Sequence, residues 1–254
     1  MDFGISILSI VPIRSEANNR SEMTTQLIFG EHYKILESKK KWSKIQIAHD
    51  KYVGWISNNQ IHKINKDEYE KLEKEIPTLS TDILDIIEGD NHQPIVIGSV
   101  LPTYKSDHAL INNKMYKFNG KKTQGFSQKK HLINNALIFL NAPYLWGGRT
   151  PFGIDCSGFT QIIYRLQGIK IPRDAYQQAD LGTPLNFIEE SEEGDLAFFN
   201  NNEGKIVHVG LIMKNNQIIH ASGKVRIDKI DQKGIFNIEK NKHTHKLRII
   251  KKLI

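Results

Sequence analysis

The sequence predicts an α+β protein in which small β-barrels precede a domain of helices packed on an antiparallel sheet. Three observations carry that expectation. Short alternating apolar strands separated by polar turns fill the first part of the chain. A helical run begins at His131, and a second amphipathic stretch follows a glycine-rich loop directly. Apolar strands punctuated by acidic and glycine turns then occupy the C-terminal part.

In residues 1–63, Ile5, Ile7 and, less regularly, Ile10 and Ile13 alternate as in a strand. The stretch Gln26 to Glu31 leads into Tyr33-Lys34-Ile35-Leu36. Trp42-Ser43-Lys44-Ile45-Gln46-Ile47 keeps the period of two that a half-buried strand requires. After the turn at His49-Asp50-Lys51, Tyr52-Val53-Gly54-Trp55-Ile56 forms the next strand. Strands this short, with turns this frequent, indicate a small barrel. The order Gly-Glu, Trp-x-x-Ile, Tyr-x-Gly-Trp-Ile resembles a bacterial SH3 (SH3b) domain. Trp42 and Trp55 read at least as well as barrel packing as ligand contacts.

Residues 64–128 are expected to form a second, degenerate SH3b-like domain with helical decoration. Tyr69, Leu72 and Ile76, then Leu79, Ile83, Leu84 and Ile87, are spaced as on two short helices divided by Pro77. Strands return at Ile95-Val96-Ile97 and Met115-Tyr116-Lys117-Phe118, and Asn119-Gly120 is a turn signal. The third segment, 129–254, opens with a helical run from His131 to Leu140 whose Leu132, Ala136, Phe139 and Leu140 share a face.

Composition bounds the function. The 254 residues are 39% hydrophobic and 25% charged, ordinary for a globular protein. The net charge of +7 and pI near 9.2 are spread over turns such as Lys39-Lys40-Lys41 and Lys121-Lys122. No run is long enough for a nucleic-acid patch, and a basic surface equally steers an anionic peptide or polymer. One cysteine, Cys156, excludes an internal disulfide and four-cysteine zinc sites. The N-terminus lacks a basic region and a small-residue cleavage site, and no apolar run reaches the roughly eighteen residues of a membrane span. A cytoplasmic chain is expected, or a periplasmic or secreted one if a leader precedes it.

The informative stretch runs Tyr144-Leu145-Trp146-Gly147-Gly148-Arg149-Thr150-Pro151-Phe152-Gly153-Ile154-Asp155-Cys156-Ser157-Gly158-Phe159. Phe159, Ile162, Ile163 and Leu166 continue at helical spacing, which puts Cys156 at a helix N-terminus. There, unpaired N–H groups and the helix dipole favour a thiolate and can stabilise an oxyanion. A lone cysteine is otherwise a buried apolar residue. The base comes from strand-like contexts: Val207-His208-Val209-Gly210-Leu211 sets His208 beside a glycine, and the following strand ends at His220. Adjacent antiparallel strands can join the two imidazoles. Cys156 then attacks, His208 takes its proton, and His220 holds the His208 ring. A zinc site from the same three residues is the competing reading. Asp155 and Ser157 equally suit helix capping, and Arg173-Asp174 a local surface ion pair.

These segments, with Ile-Pro-Arg-Asp-Ala, Gly-Asp-Leu-x-Phe-Phe, His-Val-Gly-Leu and Ile-x-His-Ala-Ser-Gly in that order, resemble the NlpC/P60 papain-like catalytic domain across 129–254. With SH3b-like domains in front, the chain is similar to the γ-D-glutamyl-L-diamino acid endopeptidases. The resemblance implies a cysteine peptidase acting in murein-peptide recycling, on the bond between D-Glu and meso-diaminopimelate or Lys. It implies a monomer with a murein tri- or tetrapeptide as partner, no nucleic acid or membrane, and no metal or organic cofactor. It places Tyr144, Asp155, Ser157, Arg173 and Asp174 beside Cys156. Arg173 suits the D-Glu carboxylate, Asp174 the free L-Ala amine, and Tyr144 the oxyanion. Tyr52 and Glu22 are candidates to close over the amine from the first SH3b domain, with barrel packing the alternative for Tyr52. Ala175 stands where some relatives carry Ser. Two other functions fit the same fold: a different thiol amidase or acyltransferase, and a non-catalytic cell-wall-binding SH3b module.

Overall fold

The structure is a computed structural model that describes residues 2–126, 128–129 and 131–254. It is mostly sheet with few helices and divides into two compact units, Met1–Phe126 and Ser127–Ile254.

The first unit opens with a seven-stranded antiparallel sheet. Its order is Met23–Ile28, Ile10–Arg14, Val53–Ser57, Trp42–Ile47, His32–Ser38, Asp2–Ile5 and His62–Ile64. The period-two strand Trp42–Ile47 buries Ser43, Ile45 and Ile47 and turns the intervening residues outward. Ile45 and Ile47 join Val11, Ile13, Leu27, Tyr33, Ile35 and Ile56 in one apolar core, against which Tyr52 packs. The helix Lys66–Lys74 follows, capped by Asn65, whose side chain accepts the Glu68 N–H at 2.8 Å. It buries Tyr69 and Leu72.

A helix expected over Leu79 to Ile87 is absent: the segment forms strands Thr78–Ser80 and Leu84–Glu88. Ile83 and Leu84 point to solvent, so four apolar residues that imitate a helical face supply only Leu79 and Ile87 to the core. Asp82, between the two strands, accepts the Lys121 N–H. Leu84–Glu88 pairs with His92–Val96, and Lys114–Lys117 joins it to His108–Ile111. The turn of that last hairpin is Asn112-Asn113, with φ of 48° and 61°, a pair the sequence reading overlooked. Asn119-Gly120 carries the chain onward to Lys122–Gln124, in a separate three-stranded sheet. One apolar cluster takes in Ile5, Phe29 and Ala48 as well as Ile87, Ile95 and Phe118, so residues on both sides of position 64 share a core.

Among its described residues the second unit combines a few helices with an antiparallel sheet, and the helices Cys156–Leu166 and Ala175–Gln178 contact the strand Ile206–Met213. The helix His131–Leu137 is shorter than expected, because the chain turns at 138–142, yet Phe139 stays buried edge-on to Phe159. Every residue of the helix Cys156–Leu166 is buried, and a short helix, Ala175–Gln178, follows. Six strands then close into a barrel: Lys242–Lys252, Leu196–Asn200, Ile206–Met213, Gln217–Ser222, Lys224–Asp231 and Gly234–Asn237, the last pairing back with Lys242–Lys252. Thr183–Leu185 adds a seventh strand to Lys242–Lys252. Ala197, Phe199, Ile212, Ile218, Ile230, Ile235 and Ile250 fill the interior.

In the first unit Gly30 has φ +78°, and a Cβ there would stand 2.1 Å from the Val100 carbonyl oxygen. Gly30→Ala is expected to cost about 1–3 kcal/mol through backbone strain and to lower the midpoint in scanning calorimetry. An unchanged midpoint would show that the two sheets can separate there without loss.

Candidate active site

The helix Cys156–Leu166 begins at Asp155, whose carboxylate organises the loops before and behind the cysteine. Its Oδ1 accepts the Gly158 N–H at 2.7 Å, the N-cap bond, and its Oδ2 accepts the Gly147 N–H at 2.8 Å. Gly148 leaves no room for a side chain, since a Cβ would stand 2.3 Å from the Gly153 carbonyl oxygen. Arg173 completes the arrangement: Nη1 and Nη2 donate to Oδ1 and Oδ2 of Asp155 at 3.0 and 2.6 Å, and Nη1 also donates to Ser157 Oγ at 2.9 Å. Arg173 is only 2% exposed, which overturns the reading of Arg173-Asp174 as a surface ion pair. Gln178 locks the same segment, donating to the Ser157 and Pro172 carbonyls at 3.0 and 2.8 Å.

The helix Cys156–Leu166 packs against the strand Ile206–Met213 that carries His208. His208 Nε2 lies 2.8 Å from His220 Nδ1, and His220 Nε2 lies 3.1 Å from Asp228 Oδ2. Gly210, paired with His220, is what lets the rings approach, because a Cβ there would meet the His220 Cβ at 2.8 Å. His245 stacks on His208 with ring centroids 4.2 Å apart. His208, His220, Asp228, Asn237 and His245 come from five neighbouring strands and share inward faces with Ile212, Ile218, Ile230, Ile235 and Leu247. The polar group thus forms one end of the barrel interior.

Burial and then the Asp155 charge push the Cys156 thiol up, to about 12, against the Val209 and Ser157 N–H groups and Arg173. Burial pushes His208 well below the usual histidine range, and the His220 and His245 charges add to this. The thiol lowering expected from the helix N-terminus is therefore offset: Asp155 engages the Gly158 N–H and brings its own negative charge. Neither ion is favoured alone. Burial, with the Cys156 and Asp155 charges, raises the half-buried Tyr144 to about 12, so its hydroxyl stays a donor at neutral pH.

The other sequence candidates are placed as follows. Asp174 precedes the helix Ala175–Gln178, half-buried, its N–H donating to Gln177 Oε1 at 3.3 Å. Tyr52 and Glu22 lie in the first unit, Tyr52 half-buried on the barrel core and Glu22 exposed, its carbonyl accepting the Ser15 N–H. Among the described residues no three His, Cys, Asp or Glu side chains are grouped to hold a metal ion, and no helix is long and apolar enough to cross a membrane. Sequence reading missed Asp228, Asn237 and His245. The alternation in Val225-Arg226-Ile227-Asp228 puts Arg226 and Asp228 on one face, but only barrel closure reveals that this face turns inward.

A thiol at a helix N-terminus facing a histidine strand defines the class. Residues 141–242 match the NlpC/P60 family, and residues 13–61 match the bacterial dipeptidyl-peptidase SH3 domain. The chain carries an NlpC/P60 domain behind a bacterial SH3 domain, and it is a cysteine peptidase. It is 28% identical over 229 residues to a γ-D-glutamyl-L-lysine dipeptidyl-peptidase of Bacillus cereus, covering 80% of this chain and 68% of that protein. It is 24% identical over 259 residues to dipeptidyl-peptidase 6 of Lysinibacillus sphaericus, covering 90% and 92%. An NlpC/P60 family protein from Bacillus cereus has the same fold, with a TM-score of 0.84 at 21% identity over 99% of both chains.

Two outcomes test the geometry. Arg173→Leu leaves the buried Asp155 carboxylate unpaired and is expected to cost about 3–5 kcal/mol in urea unfolding, with Arg173→Lys in between. His208→Ala tests whether this imidazole assists the thiol: alkylation of Cys156 by iodoacetamide at pH 8 is expected to slow at least ~10-fold, and equal rates in the variant and wild type would separate His208 from the thiol.

Proposed function

We propose that this peptidase hydrolyses the amide between D-Glu, through its γ-carboxyl, and the following diamino acid in murein peptides with a free N-terminal L-Ala. The observation that carries the proposal is the imidazole pair His208–His220, formed across two adjacent strands on which the helix led by the chain's single cysteine packs. Similarity over most of the chain to proteins named γ-D-glutamyl-L-lysine dipeptidyl-peptidase and dipeptidyl-peptidase 6 supports the substrate class.

In this mechanism Cys156 Sγ attacks the γ-carbonyl carbon as its proton passes to His208. Tyr144 and the helix N-terminal N–H of Cys156 stabilise the oxyanion. His208 returns the proton to the departing amine of the diamino acid, leaving a γ-glutamyl thioester on Cys156. Water, deprotonated by His208, then releases L-Ala-D-Glu and restores the thiol. The D-Glu α-carboxylate is met by the Ser157 hydroxyl, with the Arg173 guanidinium charge behind it. Asp174 receives the L-Ala ammonium. A free-amine requirement restricts the enzyme to peptides already released from the glycan, which suits recycling in the cytoplasm.

The test is incubation with L-Ala-γ-D-Glu-meso-diaminopimelate, its L-Lys counterpart and their N-acetylated forms, read by mass spectrometry against Cys156→Ala. Release of L-Ala-D-Glu from free peptides only, absent in the variant, is the expected result. Cleavage of acetylated peptides equally well would remove the amine gate, and no cleavage of any would point to another acyl substrate.

A further inference from the structure

We propose that Asp228 is a positioning residue that fixes the proton on each imidazole of the relay, making Cys156–His208–His220 a four-member chain that ends on a carboxylate. This rests on the assignment of His208 as base and His220 as its orienting partner.

The argument follows the protons outward from Asp228. An ionised carboxylate only accepts hydrogen bonds, so His220 must carry its hydrogen on Nε2, 3.1 Å from Asp228 Oδ2. The neutral ring then offers Nδ1 as a lone pair. His208 Nε2, 2.8 Å from that lone pair, must be the donor. Its Nδ1 is left unprotonated, and that nitrogen is the one able to take a proton from a thiol. Without an anchor, a neutral histidine in the third position allows the opposite pattern: Nδ1–H on His220 would force the His208 hydrogen onto Nδ1 and abolish the base.

Asp228 is built to be that anchor. It is 1% exposed, and Arg226 donates to both of its oxygens, Nε to Oδ2 at 2.8 Å and Nη2 to Oδ1 at 3.1 Å. Asn237 Nδ2 contributes at 3.4 Å, and Arg226 Nη1 is itself held by Glu239 at 2.9 Å. Burial raises the Asp228 carboxyl, but the bonds and charges of His220 and Arg226 outweigh it and bring the pKa down to about 2. The carboxylate is therefore ionised wherever the enzyme can work. The other titratable group facing the relay is His245, stacked on His208 and lowered to about 4 by burial and then by the His220 charge, and so neutral at pH 7. Because Arg226 offsets much of the Asp228 charge, the main effect of Asp228 is on proton placement rather than on imidazolium stabilisation.

The test is nitrogen-15 NMR of histidine-labelled full-length protein, in which Nε2–H and Nδ1–H rings have distinct shifts. Wild type should show His208 and His220 both protonated on Nε2 only; an Nδ1–H ring at either position overturns the proposal without any variant. Asp228→Asn, near-isosteric, offers an amide N–H to His220 Nε2 and should move both hydrogens to Nδ1. The alkylation rate of Cys156 should fall together with kcat, by on the order of 10²–10⁴-fold as expected for a wrong tautomer behind a catalytic histidine, with KM little changed. Asp228→Glu should restore part of the rate. A folded Asp228→Asn protein with wild-type tautomers and alkylation rate would reduce Asp228 to a structural role. The NMR and alkylation readouts need no substrate, so failure to cleave murein peptides would count against the substrate assignment and leave this inference standing or falling alone.

Discussion

Closure of the six-stranded barrel is the constraint on which the second unit turns. Pairing of Lys242–Lys252 with both Gly234–Asn237 and Leu196–Asn200 brings the last strand around to the first. Only then do the inward rows of His208, His220, Asp228, Asn237 and His245 converge at one end. An open sheet would spread these side chains in a line, with Asp228 exposed to water and its hydrogen bond to His220 competing with solvent. Closed, the barrel supplies a low-dielectric end in which each polar group has few alternative partners, so the bonds it does make are strong and directional.

The cysteine side is organised by a different kind of bond. Asp155 collects two backbone N–H groups and a guanidinium fork, so the loop at 147–148, the helix start and the segment around Arg173 are tied to one carboxylate. A buried pair of this kind adds little net stability over apolar packing, because desolvation offsets most of the attraction. What it supplies is position: it fixes where the helix begins and hence where Sγ points. Asp155 also disfavours a free thiolate at Cys156.

Much of this was legible in the sequence, and the misses have physical causes. Period-two alternation marked Trp42–Ile47, and a glycine-rich loop ahead of an amphipathic run marked the helix at Cys156, because both patterns are local. The His208–His220 pair was legible from two consecutive strands with a glycine between them, which needs only antiparallel pairing. Asp228 and His245 were not, since their inward direction depends on barrel closure across strands distant in sequence. The strands in 78–88 were misread as helix because exposed Ile83 and Leu84 mimic a helical spacing that burial does not respect. The resemblance placed Arg173 beside Cys156, but its fork on a carboxylate 18 positions earlier was not legible, because nothing local announces it.

The Asp155 cluster also bears on the order in which the molecule comes into being. Its partners lie at 147, 158 and 173, whereas the imidazoles and the carboxylate behind them enter at 208, 220 and 228, and the ring stacked on His208 arrives only at 245. During synthesis Cys156 therefore emerges well before His208, and His208 before the strand that closes the barrel around it. Such non-local contacts form late in folding. A nascent or clipped chain that lacks the later strands holds Cys156 without the imidazoles and carboxylate that the finished fold gathers, so the arrangement comes into being only when the fold is complete.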